Sequence, residues 1–214
     1  MQLDPEVPLL PRTHYPGFDV MSQKDAWDPH TQSVVTKRLQ VSPSYEFLTE
    51  HEARLIRAIA GHLLYEDRDE VLSFVVAHFD RQLHADRGEA ERELNVPPQS
   101  DLVGWGLAAF DALAKSLHGR PFLECGTQEQ LDLIAGLQRG EWHTEGLAEH
   151  GALPQKALFK KLLGLAVEAH ASHPAVWSEM GYAGPAYPRG YYRIERGLND
   201  PWEPRRAQNG AGVE

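Results

Sequence analysis

The stretch from His170 to Pro204 constrains this chain more than any other, because its composition pulls in two directions. Pro174, Pro185, Pro188, Pro201 and Pro204, with Gly181, Gly184, Gly190 and Gly197, forbid a long helix there. Yet Trp177, Tyr182, Tyr187, Tyr191, Tyr192 and Trp202 make it far too aromatic for a disordered tail. Each such ring has roughly 150–250 Å² to bury, while ordering each backbone residue costs about 1–2 kcal/mol. The segment is therefore ordered only where something large accepts its rings, either the rest of the chain or another protein.

The rest of the chain reads as helices. Residues 1–27 carry Pro5, Pro8, Pro11 and Pro16 among Tyr15, Phe18 and Trp27, the pattern of an extended arm on a surface. Asp28-Pro29 is a helix start, with a short helix to about Gln40 marked by Val34, Val35 and Leu39. Thr49 and Glu52 form a capping-box pattern before a helix over 50–65 with Leu55, Ile56, Ile59, Ala60, Leu63 and Leu64 on one face. The charged run 66–70, read as a solvated turn, separates it from a second helix over 69–87, ending near Gly88.

After a polar loop closing on Pro97-Pro98, Ser100-Asp101 caps a third helix through Leu117. That helix is apolar over most of its circumference and is expected to be central. Thr127 and Gln130 suggest a further capping box and a helix to Gln138 bearing Leu131, Ile134 and Leu137. Residues 141–152 read as a loop, and Pro154 opens the last long helix, which Pro174 closes. The expectation is an all-α bundle: an arm with a short helix over 1–47, a helical domain over 48–173, and an irregular aromatic segment over 174–214 that packs on the bundle, on a partner, or on both.

A formal charge of −10 argues against nucleic acid, whose phosphates need clustered Lys and Arg. Lys37-Arg38, Lys160-Lys161 and Arg205-Arg206 are short and separated. One cysteine, Cys125, rules out an internal disulfide or an iron–sulfur cluster held by this chain alone. It reads as a small buried hydrophobe, or as half of a disulfide with a partner. No run approaches the ~18 apolar residues of a membrane span, and the N-terminal residues do not read as an export signal.

Patterns that carry chemistry are weak. Gly104-Trp105-Gly106-Leu107-Ala108-Ala109 matches a dinucleotide fingerprint in letters only, since a helical pattern runs through it and no strand precedes it. Close helix packing accounts for those glycines better. Glu168, His170 and His173 offer three ligands for a metal-dependent enzyme, although histidines at a helix end also cap carbonyls. Glu141, His143, Glu145 and His150 are polar residues in a loop. Apart from that metal alternative, the residues point away from catalysis and toward binding, and the six tail rings are the expected interface.

Several spaced motifs are similar to one known family. Leu48-Thr49-x-x-Glu52 with Leu55 and Ile59, Phe79-Asp80-x-x-Leu83, and Leu113-x-x-x-Leu117-x-Gly119-x-x-Phe122 belong to this set. Gln130-Leu131 and Leu137-x-x-Gly140 follow, then the more distinctive Ser172-His173-Pro174, Trp177 and Gly181-Tyr182-x-Gly184-Pro185. Over about residues 47–193 the chain resembles gluconate 2-dehydrogenase subunit 3. The resemblance implies a helical, non-catalytic small subunit with no cofactor of its own, which stabilises a large FAD-containing oxidoreductase of the glucose–methanol–choline type acting on sugars, sugar acids or alcohols. Many relatives carry a twin-arginine export signal that is not seen here. The expectation is thus a cytoplasmic complex, or a periplasmic one exported with the partner. A helical adaptor with no flavoprotein partner is the remaining alternative.

Overall fold

A computed structural model describes residues 13–40, 44–85, 93–143 and 153–207. Every regular element among them is helical, as the sequence predicts: α1 Pro29–Lys37, α2 Glu50–Leu64, α3 Asp69–Ala85, α4 Gln99–His118, α5 Thr127–Arg139, α6 Gln155–His170 and α7 Pro174–Met180. Short 3-10 turns cover Val20–Ala26, Phe122–Glu124 and Ile194–Arg196. No helix among the described residues is long and apolar enough to cross a membrane. The chain clusters into two compact units. One is Val41–His170 and holds α2 to α6; the other joins Met1–Gln40 to Ala171–Glu214. The sequence reading keeps the two chain ends apart, whereas here they share a unit.

In the larger unit α2, α4 and α6 each pack against the other four helices. The centre is therefore shared among them and not held by α4 alone. Leu55, Ile56 and Ile59 of α2, Leu107 and Phe110 of α4, and Leu158 and Ala166 of α6 are buried almost completely. Phe110 meets Phe122 and Trp142 edge-on, with ring centroids 5.0 and 4.6 Å away. Trp142 falls in the expected loop but is buried, and its indole N–H donates to the Leu133 carbonyl at 2.9 Å. Conversely Leu131 and Leu117, counted among the apolar residues of their helices, are exposed. Gly88, Glu145 and His150 lie outside the described residues.

Helix starts follow local chemistry, with two shifts. The Thr49–Glu52 box forms as expected, each side chain taking the other residue's backbone N–H. At α5 the box expected from Thr127 and Gln130 is displaced by one residue. Gly126 is the N-cap, and its N–H donates to Glu129 at 2.7 Å. Gln130 is drawn away because its amide donates to the Phe122 carbonyl at 2.9 Å and its oxygen meets the His62 ring at 2.7 Å. Helix α4 begins at Gln99, one residue ahead of the expected Ser100-Asp101 cap, with no side-chain cap bond. The side chain of Gln99 reaches the Gln82 carbonyl at 3.0 Å instead.

Two buried carboxylates bracket α2. Asp80, on α3, accepts backbone N–H bonds from Glu46, Phe47 and Leu48, all at 2.9 Å, and so fixes the chain just before the Thr49 cap. Beyond the other end, Tyr65 takes the left-handed conformation at φ 52° and turns the chain into Glu66. Contrary to the solvated turn expected for 66–70, Glu66 is buried. It binds Arg68 through Nη2 at 2.6 Å and Nε at 3.0 Å, accepts the N–H groups of Asp67 and Arg68, and meets His170 of α6 at 3.2 Å. Burial alone would raise both carboxyl groups. The hydrogen bonds, with the Arg68 charge at Glu66, outweigh it and hold both below their ordinary values.

The glycine pair in α4 separates packing from propensity. A Cβ on Gly106 would collide with Leu158 of α6, whereas nothing lies within 4 Å of one on Gly104. Close packing thus explains Gly106 and not Gly104. We expect Gly104→Ala to stabilise by about 0.5–1 kcal/mol. Gly106→Ala should lower the melting temperature, because overpacking costs about 1–3 kcal/mol where Leu158 has no room to retreat. Thermal unfolding of both variants checks this; a Gly106→Ala protein as stable as Gly104→Ala would contradict it.

Asp80→Ala should cost about 3 kcal/mol in denaturant unfolding, since it takes the acceptor from three backbone N–H groups, the buried one of Leu48 among them. For Asp80 and Glu66 the unfolded chain binds protons more readily than the folded one. Their contribution is complete above the free carboxyl values of 3.8 and 4.5 and is lost as pH falls below them. In Asp80→Asn the acid limb of a plot of melting temperature against pH should be shallower than in the parent.

Candidate partner-binding surface

In the smaller unit the tail's first ring is consumed by the chain's own beginning. Pro174 does not end helical structure as expected but starts α7, because His173 supplies the N-cap: its Nδ1 accepts the Ala175 N–H at 3.2 Å. One turn on, Trp177 drops into a small core with Val20, Trp27 and Val35. Its indole N–H donates to the Ala171 carbonyl at 2.7 Å, and the Arg38 guanidinium lies over the ring at 5.1 Å while donating to the Ser172 carbonyl at 2.7 Å. Ser178 Oγ accepts the Val20 N–H at 3.0 Å, and Thr13 Oγ1 donates to the Glu179 carbonyl at 2.7 Å.

Two glycines let the N-terminal rings close on the tail. Gly181 and Gly184 have φ of 74° and 84°, and a Cβ on either would strike the ring of Tyr15 or of Trp27, respectively. Further on, the Ala207 N–H donates to the His14 carbonyl at 2.8 Å. The first described residues are thus a partner of the tail, a role that an arm reading alone does not assign.

The six rings expected at an interface divide sharply. Trp177 is buried at 8% exposure and has little left to offer. Tyr182 stands edge-on to it at 5.1 Å and is 39% exposed. Trp202 is half-buried, with Tyr192 edge-on to it at 5.3 Å and the Arg189 guanidinium over its ring at 5.0 Å. Tyr187 and Tyr192 are 71% and 61% exposed, and Tyr191 is 38% exposed. Every residue from Tyr191 to Asn199 is exposed, including Ile194 and Leu198, which the sequence reading did not single out.

Among the described residues, Arg189 Nε, Asp200 Oδ1, Trp202 Nε1 and, in the core, Trp27 Nε1 are buried with no hydrogen-bond partner. Burial pushes the Tyr191 phenol up, aided by the nearby Tyr182, Glu203 and Asp200, with Arg189 opposing. Leaving such atoms unbonded is costly where water cannot reach them.

The alternative metal ligands are engaged elsewhere. Glu168 faces His78 at 3.7 Å and His170 faces Glu66, both within the larger unit, while His173 caps α7 in the smaller one. Among the described residues no group of three or more His, Cys, Asp or Glu is placed to hold a metal ion. Cys125 is buried outside any disulfide, and its thiol donates to the Pro121 carbonyl at 3.6 Å. Glu141 pairs with Arg139 at 2.7 Å.

The family model for gluconate 2-dehydrogenase subunit 3 matches residues 50–184. That segment runs from the first residue of α2 to the glycine against which Trp27 rests. No curated protein and no solved structure matches the chain.

Gly184→Ala tests the closure of the small unit. It places a side chain at positive φ, at about 1–2 kcal/mol, and drives it into Trp27. We expect faster tryptic cleavage at Arg189, whose guanidinium is held by Gln23 and the Ala183 carbonyl. The far-UV dichroism should change little, since α2 to α6 contain neither residue. Unchanged cleavage would show that Trp27 does not need the glycine.

Proposed function

Because the chain belongs to the gluconate 2-dehydrogenase subunit 3 family, we propose that it is the accessory small subunit of a dehydrogenase complex. Its partner is a large FAD-containing oxidoreductase of the glucose–methanol–choline type, which oxidises a sugar, sugar acid or related alcohol. This chain stabilises the flavoprotein and takes no part in the redox step. The family match is the observation that carries the reading, and the exposed rings of the tail support it. Tyrosine offers large contact area at small entropic cost and keeps a polar hydroxyl, which suits an interface. The residues that could have served chemistry, Glu66, Glu168, His170 and His173, are engaged in holding helices and caps.

Co-expression with the large subunit should yield a stable complex with the visible absorption of oxidised flavin. Expressed alone, the chain should be colourless and aggregation-prone through its tail rings. If the purified single chain binds FAD or turns over a sugar, the assignment of roles is wrong.

A further inference from the structure

The exposed ribbon lies beyond the family match, so its chemistry has to be read from its own side chains. Between Ala186 and Arg206 stand five arginines, Arg189, Arg193, Arg196, Arg205 and Arg206, against three carboxylates, Glu195, Asp200 and Glu203. The whole chain has a net charge of −10, so this short segment is locally cationic within an acidic protein. Two of the five arginines are occupied. Arg189 is bound to Gln23, the Ala183 carbonyl and the Trp202 face, and Arg206 lies 3.2 Å from His14. Arg193 makes only a long 3.4 Å bond to the Asn199 carbonyl, and neither Arg196 nor Arg205 has an ion-pair partner among the described residues. All three are exposed, and Tyr191, Tyr192, Ile194 and Leu198 are exposed among them.

We propose that the Tyr191–Arg205 ribbon is the docking edge for an acidic protein surface, one that presents carboxylates around an apolar groove able to take Tyr192, Ile194 and Leu198. This deepens the reading above and rests on it: the surface belongs to the large subunit. The three exposed cations of the ribbon without an ion-pair partner among the described residues are arginines, whose planar fork pairs bidentately with carboxylates. Tyr and Arg are also the residue types that concentrate binding energy at protein interfaces. A polyanion such as nucleic acid or an anionic membrane calls for a broad field of cations, whereas this is one short patch in an acidic chain. A protein face with its own local charge pattern fits better.

The test uses the complex purified through a tag on the large subunit, with the parent chain, with Arg193→Glu/Arg196→Glu/Arg205→Glu, and with the same three changed to Lys. Unaltered dichroism of the isolated variants checks that they fold. We expect the Glu variant to bind about 100-fold more weakly, and the Lys variant to lose less. Raising sodium chloride from about 50 to about 500 mM should dissociate the parent complex far more than it changes what binding the Glu variant retains. A Glu variant that binds as tightly as the parent, with the same salt dependence, overturns the ribbon proposal while the accessory-subunit reading stands. Failure of the parent chain to form the complex overturns both. Binding of the parent to phosphatidylglycerol vesicles, or self-association, that the Glu variant abolishes while the flavoprotein complex is unaffected would also overturn it.

Discussion

The burial of Trp177 against Val20, Trp27 and Val35 is the contact on which the arrangement of both chain ends depends. A proline-rich arm and a glycine-rich tail each have too little regular structure to bury rings alone. Together they can, because α7 is started by His173-Pro174 and turns Trp177 inward, where the indole N–H finds the Ala171 carbonyl. The glycines at 181 and 184 then remove the side chains that would keep Tyr15 and Trp27 away. Each element is short and weak, and the unit exists through contacts between residues more than 150 positions apart, such as Val20 with Ser178.

The larger unit is organised differently. Its helices have broad apolar faces and would find one another by pattern, but pattern alone does not fix where α2 begins and ends. Two buried carboxylates do that work from opposite sides. Asp80 gathers three backbone N–H groups before the Thr49 cap, and Glu66 gathers Arg68, two backbone N–H groups and His170 after Tyr65. A buried charge is tolerable only where it is fully bonded, so each of these groups ties its segment to one geometry.

Motif residues that resemble the family now have physical roles. Asp80 clamps the residues leading into Thr49, and Phe122 fills the space edge-on to Phe110. Ser172-His173-Pro174, Trp177, Gly181 and Gly184 are the parts from which the tail's closure is built. By contrast Tyr187 and Tyr192 are the most exposed of the six rings, although Tyr192 keeps an edge-on contact with Trp202.

The all-α class, the existence of each long helix and the Thr49–Glu52 box were legible in the sequence. These features are local, and 3.6-residue periodicity and capping chemistry act within a few positions. The aromatic tail was equally legible as a segment in need of a host. Tertiary structure decided which host and which rings, because burial depends on distant partners: Trp177 went inside while Tyr187 and Tyr192 stayed out. It also decided that Gly106 was a contact and Gly104 was not, and that Glu66 left the water while its acidic neighbours Asp67, Asp69 and Glu70 did not. One-dimensional spacing treats such neighbours alike, and only the position of Leu158, Arg68 or Trp27 in space tells them apart.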